Sequence, residues 1–149
     1  MATATVNNEC FDLGAFLPYR LAVAASRVSR DFAERYREEF GLSIPEWRVL
    51  AHLSQDGAVS VRDIYERVDM DKSKVSRAAS RLQRAGLVRK GTNPHDRRLV
   101  TLSLSRKGKQ LMRRVAPVAA GFQSELEARL GDTLPGLEAA LNELAQGPE

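Results

Sequence analysis

The run from Asp71 to Arg84, Asp-Lys-Ser-Lys-Val-Ser-Arg-Ala-Ala-Ser-Arg-Leu-Gln-Arg, sorts its side chains by chemistry at helical spacing. Val75, Ala78, Ala79 and Leu82 share one face, while Lys72, Ser73, Lys74, Ser76, Arg77, Ser80, Arg81 and Arg84 occupy the remainder. An apolar back with a front of short hydroxyls and guanidiniums suits the major groove of DNA. There an arginine can pair with both acceptors on a guanine edge, and a serine can donate to or accept from several bases. The bland alternative is a solvated amphipathic helix, and the distribution of charge argues against it.

From Arg62 to Arg114 the chain holds 16 Lys and Arg against 5 Asp and Glu, a balance of +11. The rest holds 7 against 14, a balance of −7, so the formal net charge of +4 conceals a strong polarity. A local cationic excess releases counterions from phosphates, which drives duplex binding. The acidic remainder is repelled by DNA and should face away from it, which implies one oriented binding surface.

Other chemistries find little support. The two histidines, His52 and His95, fall in different elements. No Ser-His-Asp or Cys-His arrangement, phosphate-cradling glycine loop or metal-spaced cluster is visible, so no catalytic residue, metal ligand or cofactor is assigned. The single Cys10 excludes a disulfide framework within one chain and a cysteine-based zinc site. A length of 149 residues with 43% hydrophobic content suits one domain, 1–149, with a real core. No apolar run approaches membrane-spanning length and the N-terminus lacks a signal-peptide pattern, so a cytoplasmic protein without a membrane partner is expected.

The basic segment must be positioned by its neighbours. Residues 1–10 are small and polar and are expected to fray. From Phe11 to Phe40, apolar residues recur at three- and four-residue steps. They predict one long helix, offset or kinked in its first turns by Pro18 and closed by Gly41. Ser43-Ile-Pro-Glu46 reads as a capping box opening a helix through Trp47, Leu50 and Leu53, which Asp56-Gly57 stops. Ser60-Val-Arg-Asp63 starts a short helix, and only Asp69 to Lys72 separate it from the basic one, with Asp71 as N-cap. Two short helices so tightly joined form a helix-turn-helix, whose second member enters the groove. Gly86 ends that helix.

Leu87–Lys90 and Arg98–Leu104 read as two strands, joined by turn chemistry over Gly91–Asp96. Ser105 caps a long helix carrying Leu111, Val115, Val118, Phe122, Leu126 and Leu130, with a bend expected near Pro117, and a last helix carries Leu134 to Leu144. The fold class is mainly α with a small β wing. Residues 43–108 make the DNA-binding region, and the helices at 11–40 and 109–146 are left with apolar stripes that so small a unit cannot cover. A second copy of the chain would cover them, and a symmetric dimer would offer two recognition helices to a palindromic operator.

Three segments give the chain a resemblance to the MarR family of bacterial winged-helix regulators, from Phe11 to Ala145: Trp47-Arg-Val-Leu50, Met70-Asp-Lys-Ser-Lys-Val-Ser-Arg77, and Asp96-Arg-Arg98 leading to Leu104-Ser-Arg-Lys-Gly108. The last is similar to the family's Asp-x-Arg wing followed by its Leu-Ser/Thr-x-x-Gly helix start. The resemblance implies a transcriptional repressor whose wing tip enters the minor groove. Arg97 and Arg98 would sense groove width there, Asp96 would hold the wing by pairing to an arginine, and Lys90, Asn93 and His95 would add donors. The segment Phe16-Leu-Pro-Tyr-Arg20 resembles a subgroup responsive to aromatic acids or their coenzyme A thioesters. Its pocket would gather Phe16, Tyr19, Arg20, Val23 and Trp47, with aromatic walls and one guanidinium for a planar anion. The alternative for those residues is a core role for Phe16 and Trp47 and an ion pair across the dimer for Arg20. Other family members sense peroxides through one cysteine, which makes a redox-sensing repressor the alternative function. Cys10, however, precedes the first helix and sits between Glu9 and Asp12, whose charges oppose a thiolate. A non-specific architectural DNA binder would need neither an acidic dimerising half nor a pocket.

Overall fold

The computed structural model describes residues 10–148, so the fraying expected of residues 1–10 lies, Cys10 apart, outside the described residues. The first helix does not begin at Phe11. Leu13–Ala15 form a single 3-10 turn, with the Asp12 carboxylate accepting the Gly14 N–H at 3.0 Å. Phe16 is extended and α1 then runs over Leu17–Phe40, with Pro18 in its first turn. A proline has no N–H to give an earlier turn and its fixed φ suits a helix start, so it begins the helix instead of kinking it. Gly41, at φ 68°, closes α1 in the left-handed conformation.

α2 spans Ile44–Asp56, with the Ser43 hydroxyl accepting the Glu46 N–H at 3.3 Å and Gly57 at its end. α3 (Val61–Arg67) is capped by Ser60, and α4 (Lys72–Arg84) by Asp71. The sheet has three strands, β1 (Val59–Ser60), β2 (Val88–Thr92) and β3 (Val100–Leu104), in the order β1-β3-β2 and all antiparallel. β1 was not expected: two residues are too few to show an alternation, and Val59 becomes a strand only by pairing with Leu102. β2 and β3 also start one and two residues later than the sequence suggested, Leu87 being bonded to the Leu82 carbonyl and Arg98 lying in a turn. α5 (Arg106–Leu130) is continuous through Pro117, and α6 (Leu134–Gln146) follows a short 3-10 turn. None of the described helices is long and apolar enough to cross a membrane.

The core lies between α2, α3, α4 and the sheet, where Leu50, Ile64, Val75, Leu82, Val88 and Leu102 are almost wholly buried. α1 reaches this core only through its C-terminal half, by Ala33 and Tyr36. An aromatic cluster joins α1, α2 and α5: Phe32 lies 5.2 Å from Trp47 and 5.1 Å from Phe122, centroid to centroid. Arg35 of α1 pairs with Glu125 of α5 beside it and stacks 5.0 Å over Phe122. The outer halves carry no such cover. Leu17 is 63% exposed on α1 and Leu144 is 58% exposed on α6, with Leu21, Leu137 and Leu141 also open.

Gly108, in the first turns of α5, sits closer to another part of the chain than any other described glycine. A Cβ there would stand 2.1 Å from the Leu87 carbonyl oxygen, a backbone atom that cannot step aside. Helix propensity alone would make Gly108→Ala stabilising by about 1 kcal/mol. The steric conflict opposes this, and overpacked sites lose about 1–3 kcal/mol. Gly108→Ala should therefore lower stability in urea denaturation. A variant as stable as the parent would show that α5 does not sit against Leu87 as described.

Candidate nucleic-acid interface

Each functional side chain on α4 is aimed by what is buried behind it. Val75, Ala78 and Leu82 are at most 1% exposed, and Lys72, Ser73, Lys74, Ser76, Arg77, Ser80, Arg81 and Arg84 are all exposed on the other side. The structure thus brings the whole set proposed for the major groove onto one face.

Two members have internal duties. The Ser73 hydroxyl donates to the Asp71 carboxylate at 2.6 Å, beside the Lys74 N–H at 3.1 Å. These bonds, the hydroxyl first, hold the Asp71 carboxyl below its ordinary value. A depressed carboxyl pKa adds stability that is present at neutral pH and lost as pH falls through that lowered value, so acid loosens the first turn of α4. Arg81 is the second. Its Nε donates to Oε1 of Glu46 on α2 at 2.8 Å, and the Glu46 side chain is only 14% exposed. The sequence marked Glu46 as a capping residue only. A pairing across 35 positions leaves no local signal.

The wing is built by its own polar side chains. Asn93 Oδ1 accepts the His95 N–H at 2.8 Å and Asp96 Oδ1 accepts the Arg98 N–H at 3.0 Å. Asp96 therefore supports the wing through the backbone of Arg98, and not by pairing with an arginine side chain as expected, because the tight turn brings that amide nearest. Half-buried Asn93 is likewise a turn former, which leaves Lys90, His95, Arg97 and Arg98 as the exposed donors.

Recognition helix and wing meet in one groove of about 330 Å³, lined by Ser76 and Ser80 of α4, Lys90 and Arg98 of the wing, and Arg62 of α3. Arg62 escaped the sequence reading, although a cation on the first helix of a helix-turn-helix, the one that crosses the phosphate backbone, is the signal that would have found it. It sits 3.8 Å from Glu66, both side chains largely in solvent.

The residues proposed for an effector separate into three places within one chain. Tyr19, Arg20 and Val23 line a groove on α1 with Arg27 and Arg129. Phe16 packs edge-on against Phe11 at 5.3 Å. Trp47 belongs to the aromatic cluster with Phe32 and Tyr36. At a rise of 1.5 Å per residue, roughly 24 Å of helix axis separates the levels of Phe16 and Phe32. One chain cannot gather these residues into a single pocket. Cys10 is exposed ahead of the 3-10 turn.

Base reading and shape reading should respond differently to mutation. Arg77→Ala should cost about 1–3 kcal/mol at a preferred site and relax the preference at the contacted base pair. Arg98→Ala should weaken binding and flatten the response to AT-rich flanks. Quantitative gel shifts on a preferred site, flank variants and random DNA separate the two. Equal losses on every sequence would contradict both assignments.

A MarR family model matches residues 40–99, the stretch from the end of α1 to the wing. The transcriptional repressor MdtR of Bacillus subtilis is 35% identical over 71 residues, 48% of this chain and 46% of that protein. A MarR family transcriptional regulator of Silicibacter pomeroyi has a solved structure that is 29% identical, covers 91% of each chain and superposes with a TM-score of 0.78. BpsR of Bordetella bronchiseptica, whose DNA binding is regulated by 6-hydroxynicotinic acid, shares the fold with a TM-score of 0.78 at 21% identity over 93% of this chain and 99% of that one. These relatives are regulators and not enzymes. Fold, family model and relatives together support a MarR-family winged-helix transcriptional regulator.

Proposed function

We propose that the protein is a ligand-responsive repressor that binds a palindromic operator as a homodimer and is released by a small aromatic acid or its coenzyme A thioester. The observation that carries the DNA-binding half of this reading is the groove in which Ser76 and Ser80 of α4 meet Lys90 and Arg98 of the wing. In this reading a reader of bases and a reader of shape stand side by side there. The uncovered stripes of α1 and α6 support the dimer, since each large apolar side chain moved out of water contributes about 1.5–3 kcal/mol. In this reading residues 1–149 act as one unit, with 11–40 and 109–146 pairing two copies and 43–108 binding DNA, in the cytoplasm where the operator lies.

The effector reading rests on Tyr19 and Arg20, exposed at the start of α1. A partner chain's α1 lying across the aromatic cluster would bring Phe16, Tyr19, Arg20 and Val23 toward Trp47, which one chain alone cannot do. Aromatic walls with a guanidinium would then suit a planar anion, and regulation of the similarly folded BpsR by an aromatic acid supports that class of ligand. Such a ligand would release DNA only by favouring one spacing of the two recognition helices over another.

The experiment starts from a binding site selected out of random duplexes with the full chain, then titrates benzoate, 4-hydroxycinnamate and their coenzyme A thioesters against the bound complex. The selected site should be two-fold symmetric and at least one compound should release it. Arg20→Ala should bind the site like the parent and resist release. Lost DNA binding with an intact ligand response would make Arg20 a structural residue. Deleting residues 131–149 should abolish specific binding, and a truncated monomer with full affinity would overturn the dimer.

A further inference from the structure

The structure holds a second group of cations on the face of the winged unit that α4 does not use. Arg89 of β2 and Lys109 and Arg113 of α5 line one groove of about 600 Å³ between the end of α2, the sheet and the start of α5. Lys109 and Arg113 stand one helical turn apart and so project on the same side of α5. Arg89 faces away from Lys90, its neighbour in the strand, because successive strand residues point to opposite faces. Lys90 lines the groove beside α4, so Arg89 points away from that recognition surface. Among the described residues none of the three cations has a salt-bridge partner, and no carboxylate lines the groove. Its floor is apolar, formed by Leu53, Leu104 and half-buried Met112.

We infer that this groove binds a small organic anion carrying at least two negative charges and an apolar body, a phosphomonoester or dicarboxylate on an aryl or alkyl group. Three cations lining one groove exceed what one carboxylate can neutralise, and a volume of this order suits a metabolite-sized ligand. The apolar floor adds a contact that inorganic phosphate or a DNA backbone phosphate would leave unused. A ligand seated there touches α2, the wing strands and α5 at once, and so bears on the joint between the DNA-binding unit and the long helix.

Binding can be read without DNA, and so apart from the proposed regulatory role. Calorimetric titration of the full chain with phenyl phosphate, phthalate, benzoate and inorganic phosphate should give the two aromatic dianions at least tenfold tighter affinity than the other two. Arg113→Gln and Lys109→Gln should each reduce phenyl phosphate binding at least tenfold, and both should keep operator affinity within twofold of the parent. Met112→Ala, which removes part of the floor and no charge, should weaken phenyl phosphate more than inorganic phosphate. No binding of either dianion, equal affinity for inorganic phosphate, or binding untouched by the charge variants would overturn the site. An operator affinity that falls with Arg113→Gln would make the cations DNA contacts and overturn it equally.

Discussion

Val75, Ala78, Ala79 and Leu82 bury the back of α4 against the rest of the winged unit, and this contact decides which side chains can meet a duplex. Burying Val75 and Leu82 contributes about 1.5–3 kcal/mol each, and placing an unpaired guanidinium or hydroxyl in their stead would cost several more. Rotating α4 by one residue, about 100° at 3.6 residues per turn, would do both at once. The helix is therefore fixed in azimuth by its apolar stripe, and its chemistry is presented as a consequence. Arg77 and Ser80 need no partners of their own to point outward.

The same helix is anchored at both ends. Asp71 satisfies its N-terminus. At its C-terminus the Ser105 hydroxyl donates to the Gly86 carbonyl at 2.6 Å, and Lys107 Nζ donates to the Ala85 carbonyl at 3.0 Å. Both donors belong to the start of α5, the segment that Gly108 lets pack against Leu87. A tilt of α5 would thus drag the end of the recognition helix with it. Farther along α5, Phe122 stacks on Phe32 of α1, which in turn meets Trp47 of α2, and this ties the long helices to α2. These two joints link the long helices to α4 through packed and hydrogen-bonded groups, the physical connection along which the proposed ligand response could act.

Local signals carried much of this architecture. Ser43, Ser60, Asp71 and Ser105 each cap the helix that follows, as their spacing implied, and the apolar stripe of α4 is the buried one. What the chain alone could not show depends on contacts between distant residues. β1 exists because Val59 meets Leu102, Arg81 is held because Glu46 is folded beside it, and Arg89 joins Lys109 and Arg113 across a strand and a helix. The separation of Arg20 from Trp47 has the same origin. A resemblance can place both residues in one list, whereas helix rise sets how far apart they stand in one chain.

The proposed complex sets two copies of one reading unit on the duplex, each using a helix and a wing together. Hydroxyl-radical footprinting of the complex on a selected site measures this directly. It should show two protected half-sites related by two-fold symmetry, their centres about one helical turn or a multiple of it apart, with a protected minor-groove patch outside each. A single protected stretch without symmetry, or protection that ignores the minor groove, would contradict it.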